Sequence, residues 1–144
     1  MKIFIFLIFV CFLLNCDNQT LEYSCNSKLK DKPLSQIRNC LQGKWKYVYA
    51  TGGLTGNAKF YYNDCCFIEF KSSDSLIITN TSTVRRSKIE WLEITDQFNE
   101  RTFQMKYPYN QGYYTRGVWG IQNDTLTLYD IANDGYGYIL ARSN

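Results

Sequence analysis

The 144-residue sequence contains no histidine, and this absence excludes more chemistry than any other feature of the composition. Without imidazole there is no Ser/His/Asp or Cys/His nucleophile activation, no histidine-based zinc site and no near-neutral proton switch. Catalysis would have to rest on carboxylates, Lys, Tyr or Cys, so a binding or interaction protein is expected rather than an enzyme. An excess of one charge is also lacking. Sixteen Lys and Arg stand against 13 Asp and Glu, interspersed along the chain. That is not the massed basic face that nucleic acid requires, so no nucleic-acid partner is expected. There is no Cys-x-x-Cys spacing, Gly-rich phosphate loop, nucleophile elbow or calcium loop, and no metal or cofactor is expected. Glu90 and Glu93 are separated by an odd number of residues, which on a regular strand sends them to opposite faces and not into a glycosidase-like pair.

Small residues are missing from the N-terminus: no Ala, Gly or Ser precedes Ser24. An ordinary signal-peptidase site is therefore hard to place. What stands there is Lys2 followed by the uncharged apolar run Ile3 to Leu14, too short to span a bilayer but suited to a secretory signal. Leu13-Leu14-Asn15-Cys16 resembles the lipobox of bacterial lipoproteins, which implies cleavage before Cys16 and attachment of acyl chains to its thiol. The expected organisation is a signal over residues 1–15, the lipidated Cys16 and a polar tether over 16–32, and one domain over 33–144. The expected location is the bacterial cell envelope, anchored to a membrane, with the outer membrane favoured over the inner.

Setting aside Cys11 in the signal and Cys16, four cysteines remain: Cys25, Cys40, Cys65 and Cys66. Four cysteines in a secreted chain allow three pairings. A Cys65–Cys66 bond would close a strained small ring within an apparent strand and ranks last. The favoured pairing ties Cys25 or Cys40 to Cys65 or Cys66, with free thiols left open as the other reading.

Pro33 to Leu41 predicts a short helix in which Leu34, Ile37 and Leu41 share one face. From Gly43 onward the periodicity changes to two, with turn residues between the runs. Eight strands are expected, at about 44–50, 65–71, 75–84, 88–95, 101–107, 112–121, 124–131 and 136–142. Arg85-Arg86-Ser87 reads as a turn, and Asn123-Asp124 and Asn133-Asp134-Gly135 as hairpin signals. Consecutive hairpins favour an all-β, antiparallel up-and-down barrel of eight strands, which leaves no exposed edges.

Gly43-Lys44-Trp45 at the start of the first strand resembles the Gly-x-Trp signature of lipocalins. The preceding helix and the long connection Thr51 to Asp64 occupy the corresponding places. Asp124 through Asp130, followed by Asp134 to Tyr138 and Arg142, is similar to the ending of lipocalin-like lipoproteins of the Bacteroidetes group. The resemblance implies that Gly43, Trp45 and Arg142 are structural, with Arg142 packed over Trp45. It further implies a small hydrophobic or amphipathic ligand held in the barrel beneath the first loop.

Alternation places Tyr47, Tyr49, Ile78, Trp91, Phe103, Met105 and Tyr107 as inward candidates for such a site. Arg116 alternates with Tyr114 and Val118, so an inward Arg116 would need an anionic partner, and the ligand is one candidate. The other register turns Arg116 outward and Trp119 inward. A bulge at Gly117 or Gly120 decides between the two. Phe60, Tyr61 and Tyr62 are expected as lid residues. A filled barrel would instead make the protein a scaffold whose loops contact another envelope protein.

Overall fold

The computed structural model describes residues 24–52, 58–95, 99–130 and 135–143. The expected signal, Cys16, the loop glycines Gly53 and Gly56, and Asn133-Asp134 lie outside the described residues. The chain folds as β1 (Ser27–Lys28), α1 (Leu34–Leu41), β2 (Gly43–Gly52), β3 (Ala58–Tyr61), β4 (Phe67–Lys71), β5 (Ser75–Thr79), β6 (Val84–Lys88), β7 (Glu90–Thr95), β8 (Arg101–Tyr109), β9 (Gly112–Gln122), β10 (Thr125–Asp130) and β11 (Gly137–Ser143).

Pro33 precedes the first helical turn, and its carbonyl accepts from the amides of Gln36 and Ile37. Helix α1 buries Ile37, Cys40 and Leu41, the spacing of three and four that makes one apolar face. The helix gives way to β2 at Gly43, where φ is +109° and a Cβ would lie 3.3 Å from the Arg142 guanidinium. Glycine meets both demands.

The strands form one antiparallel sheet in the order β6-β5-β4-β2-β11-β10-β9-β8-β7, with β1 added to β9 and β3 to β2. The sheet thus has eleven strands where eight were expected, and three local causes account for the difference. Asn80 Oδ1 accepts from the amides of Ser82 and Thr83 and from the Thr83 hydroxyl, a side-chain turn that breaks the expected 75–84 strand into β5 and β6. Arg85, Arg86 and Ser87, read as a turn, consequently lie within β6. The long connection after residue 50 returns as β3, pairing Tyr61 with Tyr49 and Ala58 with Gly52. Finally, the tether expected over 16–32 does not extend through its last residues: Ser27 pairs with Ile121, and Leu29 is fully buried.

The barrel is nearly closed, not edgeless. Strands β6 and β7 end the hydrogen-bonded order although only Ile89 separates them in the chain. Beside this gap β6 reaches β8 and the turn after it through side chains, as Arg85 donates to Asn110 Oδ1 at 2.6 Å and the Ser87 hydroxyl to the Pro108 carbonyl at 3.3 Å.

Trp45, Ile68, Leu76, Met105, Val118, Leu126, Leu128 and Leu140 fill the interior, each at most 1% exposed, and α1 adds Ile37 and Leu41. Burying each such aliphatic side chain contributes roughly 1.5–3 kcal/mol. The Trp45 indole N–H donates to the Leu41 carbonyl at 2.8 Å, and the Arg142 guanidinium lies 4.1 Å over its ring. Asp74 links the β4–β5 turn to its surroundings. It adopts φ +52°, pairs with Arg38 of α1 at 2.8 Å and accepts from the Trp91 indole at 2.9 Å.

Cys25 and Cys40 form a disulfide, and Cys65 and Cys66 are free thiols. This corrects the favoured pairing of one early cysteine with Cys65 or Cys66. The Cys66 carbonyl accepts from the Tyr47 amide, four residues along β2 from Gly43 and so about 13 Å from the helix end of the barrel. The pairing of β1 with β9 brings Cys25 to α1 instead. Cys65 and Cys66 also precede β4, whereas the sequence pattern placed them within the strand. Among the described residues no helix is long and apolar enough to cross a membrane.

Candidate functional site

Two bulges decide which side chains reach the interior beyond the core. On β9 the pairing with β10 shifts between Thr127 and Leu128, leaving Trp119 without a partner across the ladder. Before the bulge Arg116 and Val118 face inward, and after it Ile121 does; Trp119 is 49% exposed. Its carbonyl, freed from the ladder, accepts from the amides of Leu29 and Lys30 and so holds the β1 segment. On β2 the pairing with β11 shifts between Ile139 and Leu140, skipping Val48. Trp45 and Tyr47 are therefore inward, but Ala50 takes the next buried position. Tyr49, expected inward, lies instead beside Tyr61 with the Lys59 ammonium 4.0 Å over its ring. One inserted residue exchanges the faces of everything beyond it.

The inward register creates a cavity of about 210 Å³ at the end of the barrel away from α1. Tyr47, Tyr62, Cys66, Ile78, Tyr107, Tyr114 and Arg116 line it together with Thr79 and Asn80. Of the inward candidates, Tyr47, Ile78, Tyr107 and Arg116 thus come together. Trp91, Phe103 and Met105 belong elsewhere. Met105 is fully buried in the core, Trp91 is tied to Asp74 and Arg38, and Phe103 packs on the core's flank beneath the Arg101 guanidinium. Of the expected lid only Tyr62 reaches the cavity. Phe60 and Tyr61 are 55% and 72% exposed, because the residues around them form β3 and not a covering loop.

Arg116 is the site's central group. Its Nη1 donates to the Tyr47 hydroxyl, and its guanidinium lies 3.9 Å from the Tyr138 ring centre and 5.0 Å from that of Tyr114. Asp130 Oδ1 sits 3.4 Å from Nε, and Asp130 Oδ2 accepts from the Tyr138 hydroxyl at 2.6 Å. Burial works against the charge on Arg116, but the surrounding tyrosines and Asp130 outweigh it and raise its pKa, so the guanidinium is always charged. Burial likewise raises the hydroxyls of Tyr47, Tyr62, Tyr107 and Tyr138 above the ordinary phenol range, opposed by Arg116. For Tyr138 the bond to Asp130 adds to the effect of burial. The Cys66 thiol is pushed up by burial and by Cys65, so it remains a thiol near neutrality.

Three buried polar atoms here have no hydrogen-bond partner among the described residues: Tyr107 Oη, Arg116 Nε and Asp130 Oδ1. Sequence reasoning missed Asp130, Tyr138, Cys66 and Asn80. Tyr114 had a visible signal, since it shares Arg116's strand parity. Among the described residues no cluster of three or more His, Cys, Asp or Glu could hold a metal ion. Comparisons with protein-family models, with curated proteins and with solved structures find no match.

Proposed function

We propose that this chain is a lipid-anchored protein of the bacterial cell envelope, held at Cys16, whose lipocalin-like barrel binds a small amphipathic molecule. The observation that carries the reading is the cavity itself: a buried guanidinium and an unpartnered tyrosine hydroxyl set among four tyrosine rings and Ile78. Apolar walls with a few convergent polar groups are the usual make-up of a small-molecule site. At about 210 Å³ the cavity is below the usual range of roughly 300–1,000 Å³, and the packed core closes it towards α1. The ligand is therefore short, and a long acyl chain does not fit.

A second reading draws on β3, which among the described residues pairs only with β2 and presents Phe60 and Tyr61 to solvent. An edge strand carrying exposed aromatics suits contact with another envelope protein. Native mass spectrometry of detergent-free protein expressed without residues 1–16 separates the two. A retained small molecule, or one acquired from envelope extracts, supports the ligand reading. Failure to acquire any moves the function to the β3 face.

A further inference from the structure

Resting on the ligand-binding reading, we propose that the cavity selects a small, flat monocarboxylate, with the carboxylate held by Tyr107 and Arg116 and the ring among the tyrosines. The argument is one of donors and acceptors. Tyr107 is fully buried, lines the cavity and has no hydrogen-bond partner for its hydroxyl among the described residues. Leaving such a group unpaired is costly, so the complementary ligand supplies an acceptor there. The Tyr107 hydroxyl stays protonated far above neutral pH and is thus a donor throughout.

Arg116 brings only donors to the cavity wall. Tyr47, which could have accepted, already accepts from Arg116 Nη1. The Asn80 amide oxygen is engaged by Ser82 and Thr83, which leaves its NH2 group to donate. Arg116, Tyr107 and Asn80 thus offer donors to the cavity, and the hydroxyls of Tyr62, Thr79 and Tyr114, which donate or accept, complete its polar wall. A carboxylate, which only accepts and has two oxygens, complements it; an ammonium, which only donates, does not.

Asp130 does not remove this preference. Neither Asp130 nor its partner Tyr138 lines the cavity, so the protein's own carboxylate pairs with Arg116 without occupying the cavity itself. Size and shape narrow the class further. A volume of about 210 Å³ corresponds to about seven waters of liquid, enough for a single ring with a carboxylate. The rings of Tyr47, Tyr62, Tyr107 and Tyr114 favour a flat partner that stacks offset or edge-on.

The test is calorimetric titration of the full chain in lipid nanodiscs at pH 7, against empty nanodiscs, with benzoate, benzamide, benzyl alcohol and hexadecanoate as probes. Benzoate is expected to bind at least tenfold more tightly than the two neutral rings. Tyr107→Phe, which keeps the ring and removes the donor, is expected to weaken benzoate by about tenfold and to leave benzyl alcohol unchanged. A Tyr107→Phe protein that folds and retains full benzoate affinity overturns the assignment of the donor. Neutral rings binding as well as benzoate overturn the carboxylate class but leave the ligand reading standing. Hexadecanoate binding more tightly than benzoate overturns the size limit. If none of the four binds, the carboxylate class falls, and the mass spectrometry described above decides the ligand reading separately.

Discussion

Arg116 and Asp130 face each other across β9 and β10 because of the bulge at Trp119. Counted outward from the Asn123-Asp124 turn, the early pairs Thr125 with Gln122 and Leu126 with Ile121 would lead to Asp130 opposite Gly117. The shift after Thr127 moves its partner to Arg116. The inserted residue thus supplies the buried guanidinium with its anion. Asp130→Ala is expected to cost about 3 kcal/mol, because it strands a charge that is 7% exposed. Combining Arg116→Met with Asp130→Ala should cost less than the sum of the two single changes, Arg116→Met and Asp130→Ala. Urea denaturation of the three variants measures the coupling.

Arg142 joins the last strand to the base of the barrel. It lies over Trp45 and reaches the Gln42 carbonyl just beyond α1 at 3.2 Å. Arg142→Ala should lower stability by about 2 kcal/mol through the lost cation–π contact and hydrogen bond. Arg142→Lys should recover only part of this, since an ammonium lacks the planar stacking face. The shift in denaturation midpoint at constant slope is the measurement.

The Cys25–Cys40 bond closes a 15-residue separation. Serine at both positions is expected to cost about 3 kcal/mol and to lower Tm by about 10 °C. In native protein lacking residues 1–16, alkylation should modify two cysteines, Cys65 and Cys66, and mass spectrometry reads the count. Modification of four under non-reducing conditions would contradict the pairing.

Alkaline pH should unfold the protein from about pH 10 upward. Tyr47 and Tyr107 have raised pKa values in the folded state, chiefly from burial. Their contribution is complete below the ordinary phenol pKa near 10 and is lost as pH rises toward the folded values, because only the unfolded chain then releases their protons. The slope approaches about 1.4 kcal/mol per pH unit for each such tyrosine. Spectrophotometric titration should show these phenols ionising only together with loss of structure.

Gly120→Ala should detach the N-terminal segment. A Cβ there would lie 2.7 Å from the Ser27 carbonyl and 3.0 Å from Lys28 Cα, both backbone atoms. The expected cost is about 2 kcal/mol, with loss of hydrogen-exchange protection at the Leu29 and Lys30 amides. Gly112→Ala, with nothing within 4 Å of the added carbon, is the matched control.

The helix before the first long strand, the hairpin order and much of the strand pattern were legible along the chain. These are local consequences. Apolar spacing of three and four makes α1, alternation makes β4 and β10, and Asn123 and Asp124 accept the positive φ angles of 48° and 56° that a tight hairpin requires. Asn80 was overlooked because a turn made by one side-chain oxygen resembles, in composition, an ordinary polar position on a strand.

Which residues form the cavity was not local information. A bulge is set by the neighbouring strand as much as by its own, so the skipped Val48 carries no mark in the alternation around it, and Gly117 and Gly120 signalled a bulge near Trp119 without fixing its position. Likewise Cys25 meets Cys40 only after β1 has taken the β9 edge at Gly120 and Ile121. The linear pattern specified what each stretch of backbone prefers to be. Ladder pairing across the barrel selected which side chains meet, because a period of two turns each one-residue shift into a complete exchange of inside and outside.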